Sequence, residues 1–298
     1  MNTLIERRAR VTVRVRREEG GEDIETSYQF TQNRMSITIT QGGTQFGNAK
    51  VQIFGVNMDA MNKIARLWLE VLSPSNEDRL IVDVWDGSNY VPFFEGVITW
   101  TAINASGSPD VALEIEANDG MVGMNALATV YAQEGPIALR DALAEILEPI
   151  GVVPEVSDNV PEFTPSKIHL AGTPMNQAAT LLGYYPDLTW YVNLQRFIVR
   201  PVNGPLGDDP LILSRDTGLV GYPTYATSGI SFAMIFDARV RLGRALQLRT
   251  DFDFVTRTKW IASVLQHHIQ PNWPGGQWLT QVAASPYGAI GNEQGSET

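Results

Sequence analysis

The chain has 298 residues, 44% of them hydrophobic, a formal net charge of -11 and no cysteine. That length allows two or three domains, and the apolar fraction allows a sizeable core. The acidic balance argues against a general nucleic-acid binder, which needs clustered Lys and Arg, and the lack of thiols excludes disulfides and thiolate metal sites.

Residues 1–8 carry no apolar stretch of the kind a signal peptide needs. No run of about 18 apolar residues occurs, so no transmembrane helix is expected. The first periodic segment is a strand: Val11, Val13 and Val15 alternate with Thr12, Arg14 and Arg16, which gives one buried face. Residues 18–25, with Gly20 and Gly21, read as a turn. Alternation returns at Tyr28 and Phe30 and again at Met35, Ile37 and Ile39, breaks at Gly42-Gly43, and resumes over residues 49–54. Asn57 is placed to N-cap a helix carrying Met58, Met61, Ala65, Trp68 and Leu72, which residues 73–76 end. Strands follow at 79–85 and 91–102, joined by the hairpin signal Asp86-Gly87. After a turn at 106–109, Val111, Leu113, Ile115 and Ala117 alternate, and Asp119-Gly120 closes the unit. Six or seven strands and one helix suggest a closed or nearly closed barrel with a helix on its side.

The middle changes character. Pro136 opens a helix at an N1-like position, with Leu139, Leu143, Ile146, Leu147 and Ile150 on one face and Gly151 as the stop. Residues 154–166 read as a Pro-rich loop. Thr173-Pro174 caps a second helix through Met175, Ala178, Ala179 and Leu182 to Gly183. Two short strands, 189–192 and 196–201, flank residues 193–195. Beyond a linker at 204–210, residues 218–225 read as irregular. Strands are then expected at 230–236, 245–250, 259–270 and 277–283. The fold class is mainly β with an α+β insert. Its expected division is a β-barrel unit over 1–122, a small α+β unit over 123–204, a second β-barrel-like unit over 205–290 and a disordered tail over 291–298.

Little in the sequence points to catalysis. The histidines are His169, His267 and His268. Neighbours on a strand point to opposite faces, so His267 and His268 cannot readily chelate one ion. No Gly-x-Ser-x-Gly elbow, Walker A loop, Rossmann fingerprint or His-Glu-x-x-His pattern occurs. Asp83, Asp86, Glu114 and Glu116 read as strand and turn residues in solvent. No catalytic residue, cofactor or metal is therefore expected.

Two features point instead to contacts. Arg7, Arg8, Arg10, Arg14, Arg16 and Arg17 form one basic patch on an acidic chain, which suits docking of acidic neighbours; the plain alternative is a solvated strand face. Trp273 and Trp278 bracket a Pro-Gly-Gly turn near the end of the chain. Core packing or hairpin geometry is their first reading, and a carbohydrate platform is an alternative. Arg10, Arg14, Arg16, Trp273 and Trp278 are the candidate subunit-interface residues.

The phrase Asp216-Thr217-Gly218-Leu219-Val220-Gly221-Tyr222-Pro223, followed by residues 229–232 and 236–244, resembles the C-terminal part of baseplate hub proteins of contractile-tailed bacteriophages. Ala238 stands where that family commonly has proline. Residues 259–269 and 276–282, with their His-bearing strand, Gly-rich turn and Trp-x-Thr-x-Val pattern, extend the resemblance. The resemblance implies two tail-tube-like β-barrel domains separated by a small α+β domain. It implies a homotrimer with pseudo-six-fold symmetry, joining a hexameric tail tube protein to a trimeric central spike protein among other baseplate proteins. DNA would pass through an acidic or neutral lumen without specific binding, and no membrane would be involved. The location would be the virion tail, assembled in the host cytoplasm. Two other readings stay open: a tube initiator or distal tail protein, which would give hexamers, and a tail-associated cell-wall hydrolase, which would need a cleft with paired carboxylates or a metal.

Overall fold

A computed structural model describes residues 6–19, 22–42, 46–65, 78–121, 123, 126–207 and 209–287. The strands that precede the insert are β1 (Ala9–Glu19), β2 (Glu22–Phe30), β3 (Met35–Gly42), β4 (Asn48–Phe54), β5 (Arg79–Trp85), β6 (Tyr90–Asn104) and β7 (Ala112–Asn118). Their alternation is what builds them. Val11, Val13 and Val15 are buried while Arg14 and Arg16 face solvent. Each buried valine contributes about 1.5–3 kcal/mol relative to an exposed one. With Met35, Ile37, Ile39, Val51, Ile53, Leu113 and Ile115 they form the first hydrophobic core. Asn57 caps helix α1 (Met58–Ile64), accepting the Ala60 N–H at 2.8 Å. The rest of that helix as read from sequence, through Trp68 and Leu72, lies outside the described residues, as do Gly20, Gly21 and the 291–298 tail; the expected 18–25 turn is corrected to those two glycines at most, because residues 18–19 and 22–25 extend the paired strands β1 and β2.

The middle segment holds β8 (Thr129–Gln133), helix α2 (Leu139–Leu147), β9 (Val153–Val156), β10 (Ile168–Gly172), helix α3 (Pro174–Gly183), β11 (Leu188–Asn193) and β12 (Arg196–Pro201). β8 and β10 pair, and β9 runs parallel to β12 in a three-stranded sheet with β11. Two expectations are corrected here. Pro136 lies before helix α2, not in its first turn: Ala138 is the extended N-cap, and the Ile137 and Leu139 N–H groups donate to the Pro165 and Phe163 carbonyls. Part of the expected 154–166 loop is β9, drawn into the sheet by the edge of β12. Residues of the β11–β12 hairpin serve two cores by strand alternation: Trp190, Val192, Phe197 and Val199 face the helices, while Tyr191 and Ile198 enter the core of the C-terminal segment.

The C-terminal segment contributes β13 (Leu211–Leu213), β14 (Leu219–Ala226), β15 (Gly229–Ile235), β16 (Ala245–Leu248), helix α4 (Asp253–Arg257), β17 (Trp260–Ile269) and β18 (Trp278–Pro286). Residues 218–225 are thus not irregular: they form β14, paired with β15 across a bulge between Val220 and Thr224. Pro223 and Gly221 hid it, and both are tolerated because the strand is at a sheet edge.

The insert separates the two β segments in sequence, yet in space they share one sheet. β17 pairs antiparallel with β3, from Val264 opposite Gly42 to Ile269 opposite Ile37. The resulting order is β14-β15-β18-β17-β3-β4-β7-β6-β5-β1-β2. Gly42 is required at this joint. Its φ is +83°, and a Cβ there would collide with the Ser263 carbonyl.

Candidate functional site

The strands from β14 to β6 in that order form an eight-stranded antiparallel run with two unlike faces. One face packs on the cores. The other carries Thr224, Ser231, Gln281, Gln266, His268, Thr38, Thr40, Gln52 and Asn118, all outside the buried set. Among the described residues of these strands, excluding the half of β6 that pairs with β5, the formally charged side chains are Lys50, Glu114 and Glu116. They are locally compensated. Lys50 Nζ donates to Glu116 at 2.6 Å, and Gln52 and Asn104 amides donate to Glu114 at 2.9 and 2.8 Å. The chain carries -11 overall, so the acid excess lies away from this face.

Large apolar side chains occupy its margins. Trp100 on β6 is 37% exposed; at the opposite end Val220 on β14 and Ile235 on β15 are each 43% exposed. β14 pairs only with β15, and no described strand pairs with β6 on the side away from β7 beyond its contacts with β5.

The histidine pair falls as strand geometry requires. His268 points to the polar face, where its Nδ1 lies 3.3 Å from Thr38 Oγ1. His267 points inward and is fully buried, with Nδ1 2.9 Å from Thr280 Oγ1 and the rings of Phe93 and Phe236 edge-on at 4.8 and 5.5 Å. Burial pushes its pKa down to about 3, with Arg241 and His268 adding to the effect, so the imidazole is neutral. Among the described residues no group of three or more His, Asp or Glu is placed to hold a metal ion.

The basic strand is largely neutralised within the chain. Arg10 pairs with Asp83 at 2.8 Å and lies over the Tyr90 ring, and Arg16 pairs with Glu25 at 3.3 Å. Arg14, exposed and in register with Ser27 and Arg79, points to solvent. Trp273 packs against Phe54, with the Arg34 guanidinium over both rings. Trp278 is 8% exposed and sits in the first core against Phe236, so core packing accounts for most of its side chain. Both tryptophans fasten the β17–β18 hairpin to the first β segment.

Sequence reasoning missed the buried acids: Asp83, read as a solvated strand residue, is 5% exposed and paired with Arg10, and Asp78 is 6% exposed. Asp119, read as a turn residue, is 1% exposed. The Gly47 N–H donates to its Oδ1 at 2.6 Å, and its Oδ2 has no hydrogen-bond partner. Burial raises its pKa to about 8. No local pattern could have shown this, because Gly47 lies 72 residues away.

No curated protein sequence matches the chain. Solved structures share its fold at low identity. A tail protein from Neisseria meningitidis MC58 aligns with a TM-score of 0.60 and 10% identity, covering 95% of this chain and 97% of that one. The 43 kDa tail protein of prophage MuSo2 from Shewanella oneidensis aligns at 0.58 and 9% identity, covering 92% and 95%. The Escherichia coli c3393 protein, a type VI secretion component described as similar to the T4 tail proteins gp27 and gp5, aligns at 0.57 and 10% identity, covering 87% and 74%. The family model described as baseplate hub gp41 matches residues 79–272, from β5 to just beyond β17, and the chain belongs to that family of tail structural proteins.

Proposed function

We propose that three copies of this chain form a ring on the tail axis, with the polar sheet face lining a conduit for DNA. The observation that carries this reading is the continuous eight-stranded run with one nearly uncharged polar face. Phosphates adhere to clustered Lys and Arg, and this face has Lys50 alone, already paired. Duplex DNA would therefore slide rather than stick. With neighbouring strands ~4.8 Å apart, three copies would close at roughly 37 Å between backbones before strand tilt widens the ring. Two copies would close at roughly 25 Å on the same spacing, which inward side chains would largely fill.

Copy number also follows from symmetry. A chain with a β unit over 1–122 and another over 205–290 presents six units in a trimer, so one face matches a hexameric tail tube and the other a trimeric central spike. The unit over 123–204 would lie outside the wall and meet other baseplate proteins. The exposed Arg14 is the member of the basic strand we assign to an acidic neighbour, with the half-buried Trp273 beside the hairpin tip as a second contact. On this reading the protein is assembled in the host cytoplasm and ends in the virion tail, and it catalyses no reaction.

A density map of assembled tail particles tests the proposal. Three copies around the axis between tube and spike are expected. Six copies in one ring, or a position off the axis, would replace it with a tube-initiator or distal-tail role. Clearing of a peptidoglycan zymogram by the purified chain would instead establish a hydrolase.

A further inference from the structure

The insert has one strand edge that is open and unguarded. β8 pairs with β10 in a two-stranded sheet and with no other described strand. The Lys167 N–H donates to the Glu134 carbonyl at 3.3 Å. By ladder alternation Val130 and Ala132 therefore turn their backbone groups towards β10, while Tyr131 and Gln133 turn theirs away. The Gln177 amide donates to the Thr129 carbonyl at 2.8 Å, but no hydrogen bond from another described element reaches the backbone of Tyr131 or Gln133. Exposed edges are normally guarded by charge, proline or a bulge. β2 carries Glu22, Asp23 and Glu25, β9 carries Pro154 and Glu155, and β14 carries Pro223 and a bulge. Residues 120–133, by contrast, contain no charged residue and no proline. Leu127, 86% exposed, is the barest large apolar side chain among the described residues, and Val130 is 64% exposed. Ala132 and Ala171 continue the exposed face that Val130 begins.

We propose that β8 is completed by a third strand from a different protein: an extended, uncharged segment that lays apolar side chains on the Val130 face. The inference rests on the reading that the unit over 123–204 lies outside the wall and meets other baseplate proteins, and it assigns the surface and chemistry of that meeting. The outward backbone groups of Tyr131 and Gln133 are met in full by another strand, since a helix bonds its own backbone internally. Charge selects the segment. A charged one would lose hydration against Leu127 and Val130 and find no opposite charge on residues 120–133. A two-stranded sheet is marginal alone, so a third strand also stabilises β8 and β10. A second copy of this chain fits poorly. Its other exposed edges carry acids, prolines or a bulge, and β8 against β8 is a two-fold contact, which a three-fold ring does not supply.

Hydrogen exchange of the full chain, free and in assembled tail particles, reads the added strand residue by residue. In the free chain β10 protects the Val130 and Ala132 amides, and those of Tyr131 and Gln133 are open. Assembly should slow Tyr131 and Gln133 at least about tenfold and leave Val130 and Ala132 nearly unchanged. Even slowing of all four amides would mean that the face is covered without a strand, and no slowing would mean that β8 stays bare; either result overturns the inference. A density map of the same particles identifies the donor. A strand of another protein beside β8 is expected, and a strand from a second copy of this chain overturns the assignment. Val130→Lys combined with Ala132→Lys puts charge on the open face. The double variant should keep the parent's urea midpoint as a free chain, yet either fail to enter particles or enter them with Tyr131 and Gln133 unprotected. Normal entry with the same slowing overturns the proposal. The ring reading fails separately, by six copies in one ring or an off-axis position in that map, whatever lies against β8.

Discussion

Asp119 offers a test of the junction between the first β segment and the insert. It follows β7 directly, and the Gly47 N–H it accepts anchors the chain entering β4. The preceding Phe46 packs edge-on against Trp190 of β11 at 5.8 Å. Burial raises the Asp119 carboxyl from 3.8 to about 8, and the Gly47 hydrogen bond, which favours the charged form, is the weaker effect. The folded protein therefore holds a proton that the unfolded chain releases. Between pH 4 and pH 8 stability falls as pH rises, by about 1.4 kcal/mol per unit, and the loss is complete above pH 8. The ceiling is of the order of 5 kcal/mol; relaxation and water entry would bring it to a few. Asp119→Asn keeps the shape and the acceptor for Gly47 but removes the titration. Urea unfolding of parent and variant across pH 4.5–9 measures the difference. The variant should match the parent near pH 4.5 and exceed it increasingly towards pH 8.5, by roughly 2–4 kcal/mol on the linkage slope. A variant equally destabilised at every pH would refute the reasoning, because a constant loss reports packing and not a proton.

His267 titrates with the opposite sign. Its folded pKa lies far below the ordinary 6.5, so its contribution is present above pH 6.5 and lost as pH falls towards 3. His267→Gln should flatten that acid limb in the same unfolding series, at a cost of about 1–3 kcal/mol near neutrality from lost packing and an imperfect partner for Thr280. Gly42→Val should cost at least about 3 kcal/mol, from strain at positive φ plus the clash with Ser263, and calorimetry should show a lower melting temperature than the parent as β3 and β17 part. Leu194 and Gln195 form the β11–β12 turn with φ of 50° and 58°. Leu194→Asn suits that geometry and should raise stability by about 0.5–1 kcal/mol. Adding Lys at Thr38, Gln52 and Gln266 should change stability by less than about 0.5 kcal/mol each while making DNA release from assembled particles slower and salt-dependent.

Much of the fold was legible because local periodicity dominates half-buried strands. The Val11–Val13–Val15 and Leu113–Ile115–Ala117 alternations, the Asn57 and Thr173 caps and the Asp86-Gly87 turn are all where the sequence places them. β8, β10 and β13 went unread because three to five residues carry too short a period to stand out. β14 went unread for a different reason: the features that suit a strand to an edge, a proline and a bulge, are the ones that erase alternation. The tryptophans near the end of the chain illustrate a further limit. An aromatic side chain serves a core and an interface equally well, and only the fold places Trp278 in the first core. The polar face itself could not be read, since it exists only once β17 meets β3, more than 200 residues away.

That long-range joint has a physical consequence for assembly. An unpaired sheet edge invites wrong partners, so each seam left for another chain to close is a hazard until it is filled. A ring of six separate β units would carry six such seams. In the trimer proposed above, joining two units through β3 and β17 within one chain would make half of them intramolecular, where pairing is set by folding and needs no encounter. The remaining edges then need protection of their own. β14 has it in part from Pro223, which cannot donate to a new ladder, and from a bulge that disturbs simple pairing.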